Sequence, residues 1–81
     1  MKAIVTVSGK DTTGIIAAIC TLLSENNVNI LDISQTVMEE FFTMSMLVDT
    51  SKSKKGVAEL ASELDGLGKK MGLVIHTQRE D

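Results

Sequence analysis

The stretch from Val5 to Ile19, Val-Thr-Val-Ser-Gly-Lys-Asp-Thr-Thr-Gly-Ile-Ile-Ala-Ala-Ile, constrains this chain more than any other. A β-branched apolar run passes through a polar, glycine-punctuated turn and opens directly into a segment with apolar residues at helical spacing. A strand that ends at a helix N-terminus leaves unpaired backbone N–H groups in the turn. Together with the positive end of the helix dipole, those groups suit a carboxylate or another small anion. The corner is therefore the candidate functional centre, of a kind that suits ligand sensing or regulation.

Residues 2–8 alternate, with Ala3, Val5 and Val7 on one face and Ile4 and Thr6 on the other. Apolar groups on both faces read as a central strand. Ser8 to Thr13 is the polar turn, in which Asp11, Thr12 or Thr13 can cap the following helix. That helix is expected over 13–26, with Ile15, Ile16, Ile19, Leu22 and Leu23 as one stripe. Asn26 or Asn27 can supply the left-handed conformation at its end.

Residues 28–38 form a second strand whose parity switches between Ile30 and Leu31, which predicts a bulge near Leu31-Asp32. Glu39-Glu40 is a short polar break. Phe41 to Asp49 is a third strand, with Phe42, Met44, Met46 and Val48 as a wholly apolar face. A break this short predicts a hairpin. After a lysine-rich loop, Val57, Leu60, Ala61, Leu64, Leu67 and Met71 stripe a second helix, expected from about Ser53 to Lys70. Gly66 and Gly68 each weaken it by up to about 1 kcal/mol relative to Ala, so its end is expected to fray or tighten early. Gly72 is a plausible stop, Leu73 to Gln78 is a fourth strand, and Arg79-Glu80-Asp81 is a charged tail.

The order is β-α-β-β-α-β. Two right-handed crossovers overlapped by a hairpin predict an α+β, ferredoxin-like fold. Its four-stranded antiparallel sheet has the order 2-3-1-4 and carries both helices on one face. The other face stays uncovered and strand 2 is a free edge; both invite a partner.

Eighty-one residues allow one domain, spanning 1–81. Such a chain buries only ~60–65% of its unfolded surface, so a homodimer is expected. A formal charge of −3 argues against a nucleic-acid partner. The single Cys excludes an internal disulfide and fits a reducing, cytoplasmic setting. No apolar run approaches the roughly 20 residues that span a bilayer, and the first residues do not read as a signal peptide. No metal-ligand spacing, nucleophile set or paired carboxylates converge on one corner, so neither enzyme activity nor a cofactor is expected.

With this order established, Asp11-Thr12-Thr13-Gly14-Ile15 at the first turn and Val28-Asn29-Ile30 opening the second strand resemble an ACT domain. The resemblance covers essentially the whole chain. It is nearest to stand-alone ACT proteins of the UPF0237 type, which are similar to the ACT domains of glycine-cleavage repressor-type regulators. Val7 to Asp11 and Asn29 to Thr36 carry most of the match. The resemblance implies a small ligand, often an amino acid, bound at a subunit interface. It implies that Gly14 allows close approach, that Asp11 contacts the ligand amino group, and that Asn29 comes from the neighbouring subunit. The site implied is Asp11, Thr12, Thr13, Gly14 and Ile15 on one wall, with Asn29 and Ile30 on the other. The chain departs from the family pattern at Thr12-Thr13, where an Arg-Pro or similar pair is usual. It departs again at Gly9, where some serine-sensing members carry a polar side chain. A free-standing domain of this kind also implies a regulated protein in trans. The alternative function is a ligand-free interaction module that controls such a partner.

Each site residue has a plainer reading. Gly14 answers to backbone geometry with or without a ligand. Asp11 serves as well as a helix cap, Thr12 and Thr13 as surface turn residues, and Asn29 as a turn residue. His76 is expected on the open sheet face, and Cys20 as a small buried hydrophobe. Met44 and Met46 read as core, and Lys52, Lys54 and Lys55 as a solvated cluster.

Overall fold

The computed structural model describes residues 1–80, and Asp81 of the charged tail lies outside them. Strand β1 (Lys2–Lys10) leads into helix α1 (Ile15–Glu25). Strands β2 (Asn29–Met38) and β3 (Phe41–Asp49) follow, then helix α2 (Val57–Met71) and strand β4 (Leu73–Arg79). The strands form one sheet in the order β2-β3-β1-β4, with every pairing antiparallel. This is the expected ferredoxin-like arrangement.

Strand alternation builds the core. Ala3, Val5 and Val7 of β1 and Phe42, Met44, Met46 and Val48 of β3 all point to the helix side and are buried. Ile15, Ile19 and Leu23 of α1 and Leu60 and Leu64 of α2 cover them. Each large side chain so buried contributes roughly 1.5–3 kcal/mol. The expected bulge is present: Ile30 pairs with Val48 and Asp32 with Leu47, leaving Leu31 without a partner. Beyond it, Ile33, Gln35 and Val37 face the helix side, opposite Met46, Met44 and Phe42. Neither helix reaches that far. Ile33 and Val37 remain 43% and 52% exposed.

The structure corrects the helix ends. The N-cap of α1 is Gly14 at φ 88°, with no side-chain cap bond, so none of Asp11, Thr12 and Thr13 caps. A left-handed glycine turns the chain sharply enough to remove the need for a side-chain acceptor. Helix α2 starts at Val57, not Ser53, because Lys55 N–H donates to Ser53 Oγ and holds 53–56 as a turn. Its end does not fray. It runs to Met71 and stops at left-handed Gly72, whose N–H donates to the Gly68 carbonyl. Gly68 is the reason: a Cβ there would stand 2.8 Å from the Leu73 carbonyl oxygen, so the missing side chain lets β4 pack against the helix. Ile16, expected in the buried stripe, is 37% exposed. At the other end of α1, Asn27 takes the left-handed conformation at φ 60°, as expected. Asn26 is buried and donates its amide N–H to the Leu22 carbonyl.

The second sheet face is uncovered. One row across it reads His76, Thr6, Ser45, Ser34, and the next reads Val74, Ser8, Thr43, Thr36. His76 lies on this face, as expected.

Candidate functional site

The first half of the site is the turn between β1 and α1. Strand β1 continues through Lys10, so the turn proper is Asp11–Gly14. Asp11 N–H donates to the Glu40 carbonyl at 2.7 Å, which pins the turn to the tip of the β2–β3 hairpin. The side chains of Asp11, Thr12 and Thr13 are left exposed and without bonds to the helix. The first intrahelical bond runs from Ala18 N–H to the Gly14 carbonyl. The N–H groups of the first turn therefore have no helical partner, and α1 has no acidic side chain there to compete for them. Asp11, Thr12, Gly14 and Ile15 line a small cleft of about 270 Å³, backed by Phe42. Thr13 does not line this cleft. Ile15 is buried in the core. The chemistry offered is a set of N–H donors for a carboxylate, with the Asp11 carboxylate beside them for an ammonium group.

The second half lies at the other end of the sheet. Asn29 pairs with Asp49, whereas Lys10, the neighbour of Asp11, pairs with Phe41. The eight strand steps from Phe41 to Asp49 span about 26 Å. One protomer therefore does not bring Asn29 and Ile30 to the Asp11–Gly14 turn. Asn29 and Ile30 instead line a groove of about 850 Å³ with Cys20, Ser24, Asp49 and Lys52. Asn29 is exposed and Ile30 half-buried against the core.

Within this groove Asp49 is already committed. Its Oδ1 accepts from Ser51 N–H at 2.9 Å and from Ser51 Oγ at 2.5 Å, and stands 3.7 Å from the Met1 amino group. The Ser51 hydroxyl and amide bonds hold this carboxyl below the usual carboxylate range. Cys20 is half-buried and lines the groove, which corrects its reading as a small buried hydrophobe. The lysine cluster divides. Lys55 pairs with Glu63, whose hydrogen bond pushes the ammonium pKa up. Lys52 makes no ion pair among the described residues and lines the groove. Sequence reasoning missed Asp49, Ser51 and Lys52 as neighbours of Asn29. Only the register Asn29 to Asp49 places them there. Among the described residues, no three His, Cys, Asp or Glu side chains converge to hold a metal. No helix among the described residues is long and apolar enough to cross a membrane.

Comparison with known proteins agrees with the fold. The profile of the ACT domain matches residues 2–78. A UPF0237 protein of Clostridium acetobutylicum is 54% identical over 80 residues, covering 99% of this chain and 90% of that protein. The solved ACT domain protein of Streptococcus pneumoniae superposes with a TM-score of 0.84 at 41% identity, over 96% of this chain and 88% of that one. A protein assigned as a glycine cleavage system transcriptional repressor shares the fold, with a TM-score of 0.85 at 22% identity, over 99% of this chain and 46% of its own length. The chain belongs to the ACT-domain family, a family of regulatory domains. Within that family its relatives are the UPF0237 proteins.

Proposed function

We propose that this protein is a small-molecule sensor that binds an amino acid between two copies of itself. The observation that carries the reading is the 26 Å separation, by about eight strand steps, of two complementary half-sites. An amino acid cannot bridge that distance within one protomer. Antiparallel pairing of β2 with the β2 of a second copy lays the Asn29 end of one strand beside the Met38 end of the other. The Met38 end is where the Asp11–Gly14 turn stands. In that homodimer the turn N–H groups take the α-carboxylate, Asp11 takes the ammonium group, and Asn29 and Ile30 of the second copy close the pocket. The sheet edge supports the pairing: from Ile33 to Met38 it carries no charge and no proline to block another strand. The protein has no catalytic role of its own in this reading. It acts in the cytoplasm, where a lone half-exposed cysteine stays reduced, and it controls a further protein in trans. Calorimetric titration with the twenty amino acids tests the proposal. Binding of at least one at millimolar concentration or better is expected, and binding of none sinks it.

A second reading is favoured by the same bare edge. A ten-residue edge strand whose only charge is Asp32 can accept a strand from any partner, and the protein would then be a ligand-free interaction module. Asp11→Ala combined with Gly14→Val separates the two. Loss of ligand with dimer intact supports sensing, whereas loss of a protein partner with no ligand to lose supports the module.

A further inference from the structure

We propose that the bound amino acid carries an anionic side chain, and that Lys52 is the residue that selects it. The inference rests on the two-copy reading above and concerns the part of the pocket that the second copy supplies. Asn29 opens into a groove of about 850 Å³, within the size range of small-molecule sites. Two charged side chains line that groove, Asp49 and Lys52. Asp49 has its Oδ1 filled by Ser51 N–H and Ser51 Oγ, with the Met1 amino group nearby, so its charge is answered within the protomer. Lys52 is exposed and has no carboxylate within ion-pair distance among the described residues. Lys55, three residues on, is taken up by Glu63. The uncommitted charge in the groove is thus a single ammonium group on a chain whose net charge is −3. The overall field repels anions, so any preference for one originates locally. The first half-site already accounts for the α-carboxylate and the ammonium of a ligand. What reaches Lys52 is the side chain, and an ammonium group on a flexible stem accepts a carboxylate or a phosphate there. Ser24 and Asn29 line the same groove and can add a hydroxyl and an amide donor for those oxygens.

Calorimetry on the full chain tests this. The probes are aspartate, glutamate and O-phosphoserine against asparagine, glutamine and serine, with wild type, Lys52→Met and Lys54→Met. Lys54 is a neighbouring exposed lysine that does not line the groove, and it controls for a general change of charge. Wild type is expected to bind at least one acidic probe about tenfold more tightly than its neutral counterpart, the scale of one charge-assisted bond. Lys52→Met is expected to lose that preference while keeping the neutral probes, and Lys54→Met to retain it. Preference for aspartate or glutamate identifies a carboxylate side chain, and preference for O-phosphoserine a phosphate. Equal or tighter binding of the neutral probes by wild type overturns the inference and leaves amino-acid sensing standing. So does a preference that survives in Lys52→Met. Binding of no amino acid by wild type overturns both.

Discussion

Strands β2 and β4 form the two edges of one sheet, yet the chain finishes them in different ways. Strand β4 is seven residues long and docks under α2: Leu73 and Ile75 are buried, and Gly68 lets the Leu73 carbonyl approach the helix closely. Its outer end carries Arg79 and Glu80. Strand β2 is ten residues long, and α1 covers it only near Ile30. Ile33 and Val37 face the helix layer but find nothing above them, and Asp32 is the only charge along the strand. Edges of isolated domains are normally blunted by charge, proline or a covering element. One edge here is finished by the fold and the other is left unfinished. The β4 side is packed by the fold, and the β2 side is the edge that the proposed dimer pairs.

The largest effect should come from breaking the finished edge. Gly68→Val places a branched side chain against the Leu73 carbonyl and the Ile75 side chain. A loss of about 3 kcal/mol of folding stability is expected in urea denaturation, the upper end for overpacking a tight contact. The next effect sharpens the other edge. Ile33→Lys or Val37→Lys leaves the core intact, so monomer stability should move by no more than about 0.5 kcal/mol. Sedimentation should nevertheless show the dimer lost. A smaller change belongs to the first turn, whose position depends on a left-handed glycine with open space around it. Gly14→Ala meets no neighbouring atom, so its cost is the backbone alone, about 1–2 kcal/mol. It should weaken ligand binding more than it weakens the dimer. The smallest effect is electrostatic. Ser51 holds the Asp49 carboxyl below its usual 3.8, so this group adds stability above that pH and loses it as pH falls through the lowered value. Ser51→Ala should lower stability at neutral pH slightly and flatten the acid limb of a stability profile, since the folded and unfolded pKa of Asp49 move closer together.

Much of the fold was legible in the sequence because periodicity reports burial directly. The clean alternation of Phe42, Met44, Met46 and Val48 gave β3, and the parity switch at Leu31 gave the bulge. The helix ends were not legible in the same way. Asp11, Thr12 and Thr13 have the side chains of capping residues, but a left-handed Gly14 took the position, and propensity does not see which solution the backbone adopts. Gly68 looked like a weakness in α2 because its partner, the Leu73 carbonyl, is a feature of packing between elements. For the candidate site, Asp11 to Ile15 could be read as one turn because they are contiguous. Asn29 and Ile30 could be read only through family resemblance. Lys52 and Asp49 could not be read beside them at all, since strand register brings them there.

In the proposed dimer the turn of one copy meets the Asn29 end of another. In a Cys20→Ser background, chains carrying Thr12→Cys can be mixed with chains carrying Asn29→Cys and oxidised mildly. The expected product is a disulfide-linked dimer that contains one chain of each kind and forms in preference to either like-with-like dimer. Absence of that mixed dimer, with native dimers present in the same solution, would contradict it.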